Sequence, residues 1–308
     1  MTIRSYTKVL TLGSRGTENV FKGFVVVQEK IDGSQFRFGI DDEGHMVFGS
    51  HRKELFPGAP EKMFKQAMST AIAGLNQLLI DNSGLREVTF FAEYLQKPKH
   101  NALAYDKTPL GNLVLFDVVY GADRGFATRF ELETFAQRMG IDVVPELWRG
   151  SDCTVEILVG LHETESYLGG QKVEGVVAKN YGQLIEVHGR LYPVFAKLVS
   201  EQFKERNTKE WKQKSGKSKL ETLFAEFATE ARWAKAVQHL EELGELDGSP
   251  KDIGPLMKEL HRDLRDEETE NIKDALFNLH IKGLLRTATR GFPDWYKSQL
   301  LATLGQDK

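Results

Sequence analysis

Lys30-Ile31-Asp32-Gly33-Ser34 places a primary amine, a carboxylate and a hydroxyl within five residues. The stretch follows an apolar run, Gly23-Phe24-Val25-Val26-Val27, and precedes an alternating one, Gln35-Phe36-Arg37-Phe38-Gly39-Ile40. This pattern reads as strand, tight turn at Asp-Gly, strand, a central hairpin. A lysine amine is protonated at neutral pH and cannot attack. A sheet that buries its stem, and cations nearby, favour the neutral form and lower its pKa. The chemistry to expect is nucleophilic attack by Lys30. Alone, the pentapeptide reads equally well as a hairpin whose lysine caps a strand.

Four further strand-like runs carry an acid, an aromatic ring or a lysine. Phe90-Phe91-Ala92-Glu93 ends the first, and Leu113-Val114-Leu115-Phe116-Asp117-Val118 is the second. Val173-Glu174-Gly175-Val176-Val177-Ala178-Lys179 and Pro193-Val194-Phe195-Ala196-Lys197 complete the set. In order, the five runs resemble motifs I, III, IIIa, IV and V of the covalent nucleotidyltransferase superfamily, the polynucleotide ligases and mRNA capping enzymes. The resemblance spans residues 20–205.

The resemblance implies a three-step reaction. A lysine attacks the α-phosphorus of ATP and forms lysyl-AMP, AMP passes to a 5′-phosphate end, and a 3′-hydroxyl displaces it. Lys30 is the implied nucleophile, with Glu29 and Ile31 offering backbone groups to the adenine. Asp32 and Ser34 hold the hairpin and orient the ribose or phosphate. Glu93 is implied to bond the ribose and Phe116 to stack on the purine. Lys179 and Lys197 are implied to meet the phosphates, whose charge must be neutralised in the transition state. Glu174 is the implied ligand of Mg2+ or Mn2+, which needs a carboxylate or two with waters and phosphate oxygens. Arg52, in the basic turn after Gly49-Ser50, matches an arginine that reaches the nucleotide phosphate or the nucleic-acid end. One departure stands out. Motif V commonly carries two lysines flanking one residue, and Phe195-Ala196-Lys197-Leu198-Val199 has one; Lys204 is a candidate to compensate.

Other elements supply the scaffold. Residues 61–80 repeat apolar side chains at helical spacing, with Asn82-Ser83-Gly84 ending the helix. A helix over 126–139 starts near Thr128 and closes at Gly140, a strand covers Val143–Leu147, and a short helix covers Asp152–Leu161. Residues 1–22 read as a lead-in strand and a surface loop, and 96–111 as a polar, partly basic loop. The expected fold is α+β, an antiparallel-sheet nucleotidyltransferase domain (ATP-grasp-like ligase) over residues 1–205, followed by a small all-α domain over 206–308. Seven lysines and arginines from Lys204 to Lys219 form the most basic segment, either a solvated linker or a phosphate-contacting hinge. Helices are expected over 220–243, 254–261, 267–284 and 293–304, with Trp295 and Tyr296 in the core of the helical unit.

The net charge of −3 leaves nucleic-acid binding to local patches. The single cysteine, Cys153, fits a reducing compartment, and no histidine spacing implies structural zinc. No run has the length of a membrane span and the N-terminus lacks a signal-peptide plan. The expected location is the cytoplasm, or a host cytoplasm for a phage-encoded protein, with no obligate protein partner. DNA ligases and capping enzymes generally carry an OB-fold barrel after the catalytic domain. A helical tail instead resembles the phage-type RNA ligases. The expected activity is therefore an ATP-dependent RNA ligase of RNA repair, acting on RNA ends, nicked duplexes or RNA/DNA hybrids. The alternatives are a DNA or broad-specificity nick-sealing ligase, a capping guanylyltransferase, or a non-catalytic protein that binds nucleic-acid ends.

Overall fold

The computed structural model describes residues 3–51, 53–58, 63–81, 85–101, 103–121, 125–187, 190–199, 224 and 227–304. Arg52, Lys204 and the basic run to Lys219 lie outside the described residues. Two sheets carry the chain. The first has the order β1-β12-β11-β2-β10, with β1 Leu10–Thr11, β2 Val25–Lys30, β10 Glu146–Gly150, β11 Gly175–Val187 and β12 Arg190–Val199. The second runs β5-β4-β3-β6-β7-β8, with β9 joining beside β7. Its strands are β3 Ser34–Ile40, β4 Met46–Ser50, β5 Glu54–Leu55, β6 Val88–Tyr94, β7 Leu113–Tyr120, β8 Gly125–Phe126 and β9 Asp142–Val143. Pairing is antiparallel except for β1 with β12 and β7 with β9. The α+β expectation is met.

Alternation builds the second sheet. Phe36, Phe38 and Ile40 of β3 and Phe90 of β6 face one way and are buried. Helix α1, Lys65–Asp81, lays Ala67, Met68, Ala71, Leu75 and Leu78 on that face. Helix α2, Arg129–Met139, packs beside it. Thr128 and Glu131 form a reciprocal capping box at its start, and Gly140 closes it in the left-handed conformation. Helix α3 covers Val155–Leu161.

The central hairpin is not a hairpin. β2 pairs with β10 and β11 in the first sheet, whereas β3 pairs with β4 and β6 in the second. Residues 31–33 cross between sheets. A hairpin tip would expose Ile31; here it is 3% exposed, packed with Leu95, Val114, Val144 and Leu168 in a cluster between the sheets. The Asp-Gly signal marks a sharp change of direction, but which strand lies alongside is decided by distant partners. The expected strand over 143–147 likewise divides. β9 pairs with β7, β10 pairs with β2, and Val144-Pro145 crosses between them. Pro145 has no N–H to continue a ladder, and its carbonyl accepts the Glu29 N–H at 3.1 Å.

The tail is helical, with three differences from expectation. Helix α4 covers Glu230–Glu242, the end of the expected 220–243 helix. The two helices expected over 254–261 and 267–284 are one helix, α5, Ile253–Ala288. The charged run Arg262-Asp263-Leu264-Arg265-Asp266 interrupts apolar periodicity but contains no glycine or proline to stop a helix. Helix α6 covers Phe292–Leu304. Its Trp295 and Tyr296 are 58% and 49% exposed rather than core, and pack on Phe292 of the same helix. Arg232 of α4 ties to α5 through Asp263 at 3.0 Å and Glu268 at 2.7 Å. The Gln238 side chain donates to the His100 carbonyl and to Asn101 Oδ1, which docks α4 on the 100–101 turn. Among the described residues no helix is long and apolar enough to cross a membrane.

Gly175 sits in register with Lys30 on one side and Val199 on the other. A Cβ there would meet the Leu198 carbonyl oxygen at 2.4 Å and the Val199 Cα at 2.8 Å, both backbone. Gly175→Ala should therefore cost about 1–3 kcal/mol, read as a midpoint about 3–10 °C lower in thermal unfolding. Gly58→Ala, with nothing within 4 Å of the new methyl, is the control and should change little. Equal midpoints for the two variants would show that the β2–β11–β12 contact is looser than described.

Candidate active site

Lys30 is the last residue of β2, at the point where the chain leaves one sheet for the other. Its β11 partner is Gly175, so the preceding residue, Glu174, stands beside it. Nζ of Lys30 lies 2.8 and 2.7 Å from the two carboxylate oxygens of Glu174. Glu93, opposite Gln35 in the second sheet, brings a second acid to the same cleft. The cleft has a volume of about 370 Å³ and is lined by Lys30, Glu93, Phe116, Val177, Lys179 and Lys197, among others. Motifs read in two sheets thus converge because the sheets abut at the Lys30–Ser34 crossing. The glycine there is needed, since a Cβ on Gly33 would lie 3.0 Å from the Tyr94 carbonyl oxygen and 2.9 Å from Leu95 Cδ1.

The electrostatics reverse one expectation. Burial works to lower the Lys30 pKa, but Glu174 at 2.7 Å, with Glu93 and Asp32 beyond it, outweighs burial and raises it. The sequence reading expected cations and desolvation to favour the neutral amine; the neighbours are carboxylates, which hold it as ammonium. Burial pushes the Glu174 carboxyl up against the pull of Lys30. Glu93 is pushed up to about 8, first by burial, then by Glu174 and Asp32, with Lys30 opposing. One lysine faces three acids. These acids do not form a three-ligand cluster, so a divalent cation here would take a carboxylate or two with waters and phosphate oxygens.

The remaining expected residues fall into three groups. Phe116 and the Ile31 side chain line the cleft. The Glu29 side chain is buried and accepts the Tyr167 N–H at 3.3 Å, while its own N–H is spent on Pro145. Asp32 and Ser34 brace the 96–105 loop rather than a hairpin. Asp32 Oδ2 accepts the Leu103 N–H at 2.7 Å, the Asp32 N–H donates to the Tyr105 hydroxyl at 2.9 Å, and Ser34 Oγ lies 3.0 Å from His100 Nε2.

Lys179 is 2% exposed at the cleft floor. It donates to Asp117 Oδ2 at 2.7 Å and to the Phe116 carbonyl at 3.1 Å. The rings of Tyr6, Phe116 and Phe195 surround its ammonium at 5.2–5.7 Å. Tyr6 also donates to Asp117, as does Tyr181 at 2.8 Å. Lys197 lines the cleft, 3.7 Å from Glu267 of α5, with its pKa lowered by burial against the pull of Glu267.

Sequence reading missed Tyr6, Lys8, Gln28, Asp117, Asp266 and Glu267. Asp117 stands next to Phe116 in a run already singled out, and its position inside a β-branched strand was the available signal. Gln28 stands two residues before Lys30 in β2, and nothing in the pattern of the lead-in or the tail pointed to Tyr6, Lys8, Asp266 or Glu267.

A sequence model for a family described as RNA ligase matches residues 23–199. No curated protein matches the chain. Solved structures of the Naegleria gruberi RNA ligase are similar. A variant with ATP and Mn matches at 18% identity and a TM-score of 0.49, over 65% of this chain and 57% of that one. A variant with AMP and Mn gives the same values. The same ligase with PPi matches at 17% identity and a TM-score of 0.43, over 68% of this chain and 61% of that one. The chain thus spans less than two thirds of the length of these ligases.

Glu93 makes stability depend on pH. The unfolded chain loses this proton near its ordinary value of about 4.3, and the folded chain only near 8. The stability it contributes is therefore full below the unfolded value and is lost as pH rises through the folded one. Without nucleotide or metal, Glu93→Gln should gain thermal stability over the parent as pH rises from about 5 to about 9. A difference that does not vary with pH would show that Glu93 is not held as described.

Proposed function

The chain belongs to the RNA ligase family, and on that footing we propose that it joins RNA 3′-hydroxyl and 5′-phosphate ends with ATP through lysyl-AMP on Lys30. The observation that carries this reading is Lys30 Nζ at 2.7 Å from Glu174 inside the cleft shared by Glu93, Phe116 and Lys197. A lysine nucleophile needs a proton acceptor and a place for the nucleotide, and this arrangement has both.

Glu174 holds both hydrogen bonds to the Lys30 ammonium, and its raised pKa suits it to take that proton. The freed amine attacks the α-phosphorus. The N–P bond forms, the bond to the bridging oxygen breaks, and its electron pair leaves with pyrophosphate. AMP then passes to the 5′-phosphate end, the phosphoramidate nitrogen regains a proton, and the 3′-hydroxyl displaces AMP. Phe116 offers a ring to the purine and Glu93 a carboxyl to the ribose. Lys197 meets the phosphates. Lys179, saturated by Asp117 and the Phe116 carbonyl, acts by holding the Phe116 segment against β11. Glu174 would hold Mg2+ or Mn2+ together with waters and phosphate oxygens, and the cation when bound would neutralise the acids and phosphates and so lower the Lys30 pKa. The division at residue 205 into adenylylation and helical domains belongs to the same proposal, as do nicked-duplex or hybrid substrates.

Incubation with α-labelled ATP and a divalent metal, followed by a denaturing gel, tests the reading. The parent chain should keep the label and Lys30→Ala should lose it. Label that persists in Lys30→Ala would exclude this nucleophile, and label from GTP but not ATP would exclude adenylylation.

A further inference from the structure

Helix α5 turns Asp266 and Glu267 into the cleft beside Lys30. A carboxylate in a cleft that handles phosphates carries the wrong charge for the transition state. Glu267 is nonetheless well held there. Burial pushes its carboxyl up, but Lys197, Lys235, His51 and Lys8 outweigh burial and keep it below the ordinary range. These four residues come from four segments: the N-terminal lead-in, the end of β4, β12 and α4. Lys8, His51 and Lys197 line the cleft together with Glu267. His51, Lys197 and Lys235 line its continuation, which runs from Lys30 beneath α4 and α5. Lys8 also donates to the Asp266 carbonyl at 3.3 Å, so the lead-in and α5 touch at this place.

Three lysines and a histidine thus converge on Glu267, with Asp266 in the same cleft and Asp263 holding Lys235 at 3.6 Å, which describes an anion seat with a carboxylate in it. The seat also answers the departure in motif V. Phe195 or Val199 stands where a second lysine is expected, and the Phe195 ring packs against the buried Lys179. The missing charge arrives from Lys8 and Lys235 instead.

We propose that Lys8, His51, Lys197 and Lys235 seat the β- and γ-phosphates of ATP, and the pyrophosphate formed from them, and that Glu267 occupies this seat in the nucleotide-free protein. The proposal rests on the lysyl-AMP reading above. When the amine nitrogen bonds to the α-phosphorus, the electron pair of the broken P–O bond settles on pyrophosphate, and the cations of the seat face that growing charge. Binding of the triphosphate moves Glu267 off Lys197. Sealing of RNA that already carries a 5′-adenylyl group releases AMP and no pyrophosphate, so it makes little use of Lys8 or Lys235.

The test uses the full chain, α-labelled ATP, inorganic pyrophosphate as inhibitor of labelling, and pre-adenylylated RNA as a separate substrate. Lys235→Ala and Lys8→Ala should each label about tenfold more slowly and need about tenfold more pyrophosphate for the same inhibition. Their sealing of pre-adenylylated RNA should change less than about twofold, which also shows that they fold. Lys235→Arg should restore labelling, and Glu267→Gln should be inhibited by less pyrophosphate than the parent. Pyrophosphate inhibition unchanged in both alanine variants would overturn the seat, as would loss of sealing in step with labelling. A parent chain that takes no label from ATP would overturn the lysyl-AMP reading and the seat together.

Discussion

The contact between Lys30 and Glu174 depends on one register, β2 against β11, that sets Lys30 opposite Gly175. A slip of one residue would turn Lys30 to the other face of its sheet and separate the pair. The glycine permits the close approach of three strands at that point, and the ion pair sits on its edge. Everything else in the site is arranged around this contact. One ammonium balances one carboxylate, and Glu93, pushed up to about 8 by burial, keeps its proton beside them at neutral pH. Such an arrangement holds Lys30 as ammonium.

A second tie lies below the first. Asp117 in the second sheet gathers Lys179 and Tyr181 from the first and Tyr6 from the lead-in. A buried ion pair is costly to desolvate and is seldom a large net source of stability. Here it joins two sheets whose apolar cores are otherwise separate clusters, with only the small group around Ile31 and Leu95 between them. The tie fixes Phe116, the residue next to Asp117, relative to β11. Two residues two positions apart in motif V's strand, Phe195 and Lys197, share a face, and their β11 partners are Lys179 and Val177. The same pairing therefore serves the floor and the phosphate side of the cleft.

The helical tail is part of the site rather than an appendage. α4 docks through Gln238 on the 100–101 turn, the turn that Ser34 and Asp32 brace from below. α5 faces Lys197 with Glu267. Charge from the tail and charge from the sheets thus meet over Lys30, and occupation of the cleft by phosphate is coupled to where α5 rests.

Local chemistry was legible in the chain. The strand runs, the helix framed by Thr128 and Gly140, the helical tail and the acids and lysines of the motifs could be read from pattern, because periodicity and caps act within a few residues. What the pattern could not convey was which sheet each strand joins. Ile31 and Pro145 mark crossings, but a buried isoleucine and a proline look the same in a hairpin or a bend, and only long-range pairing separates them. The state of Lys30 was hidden for the same reason. Its nearest charge lies 144 residues away in sequence, and a pKa answers to distance in space. Lys8, Lys235 and Glu267 carry no local signature at all: they are a polar lead-in residue and two solvated helix residues until folding places them around one point, and Coulomb interaction then gives them a shared role.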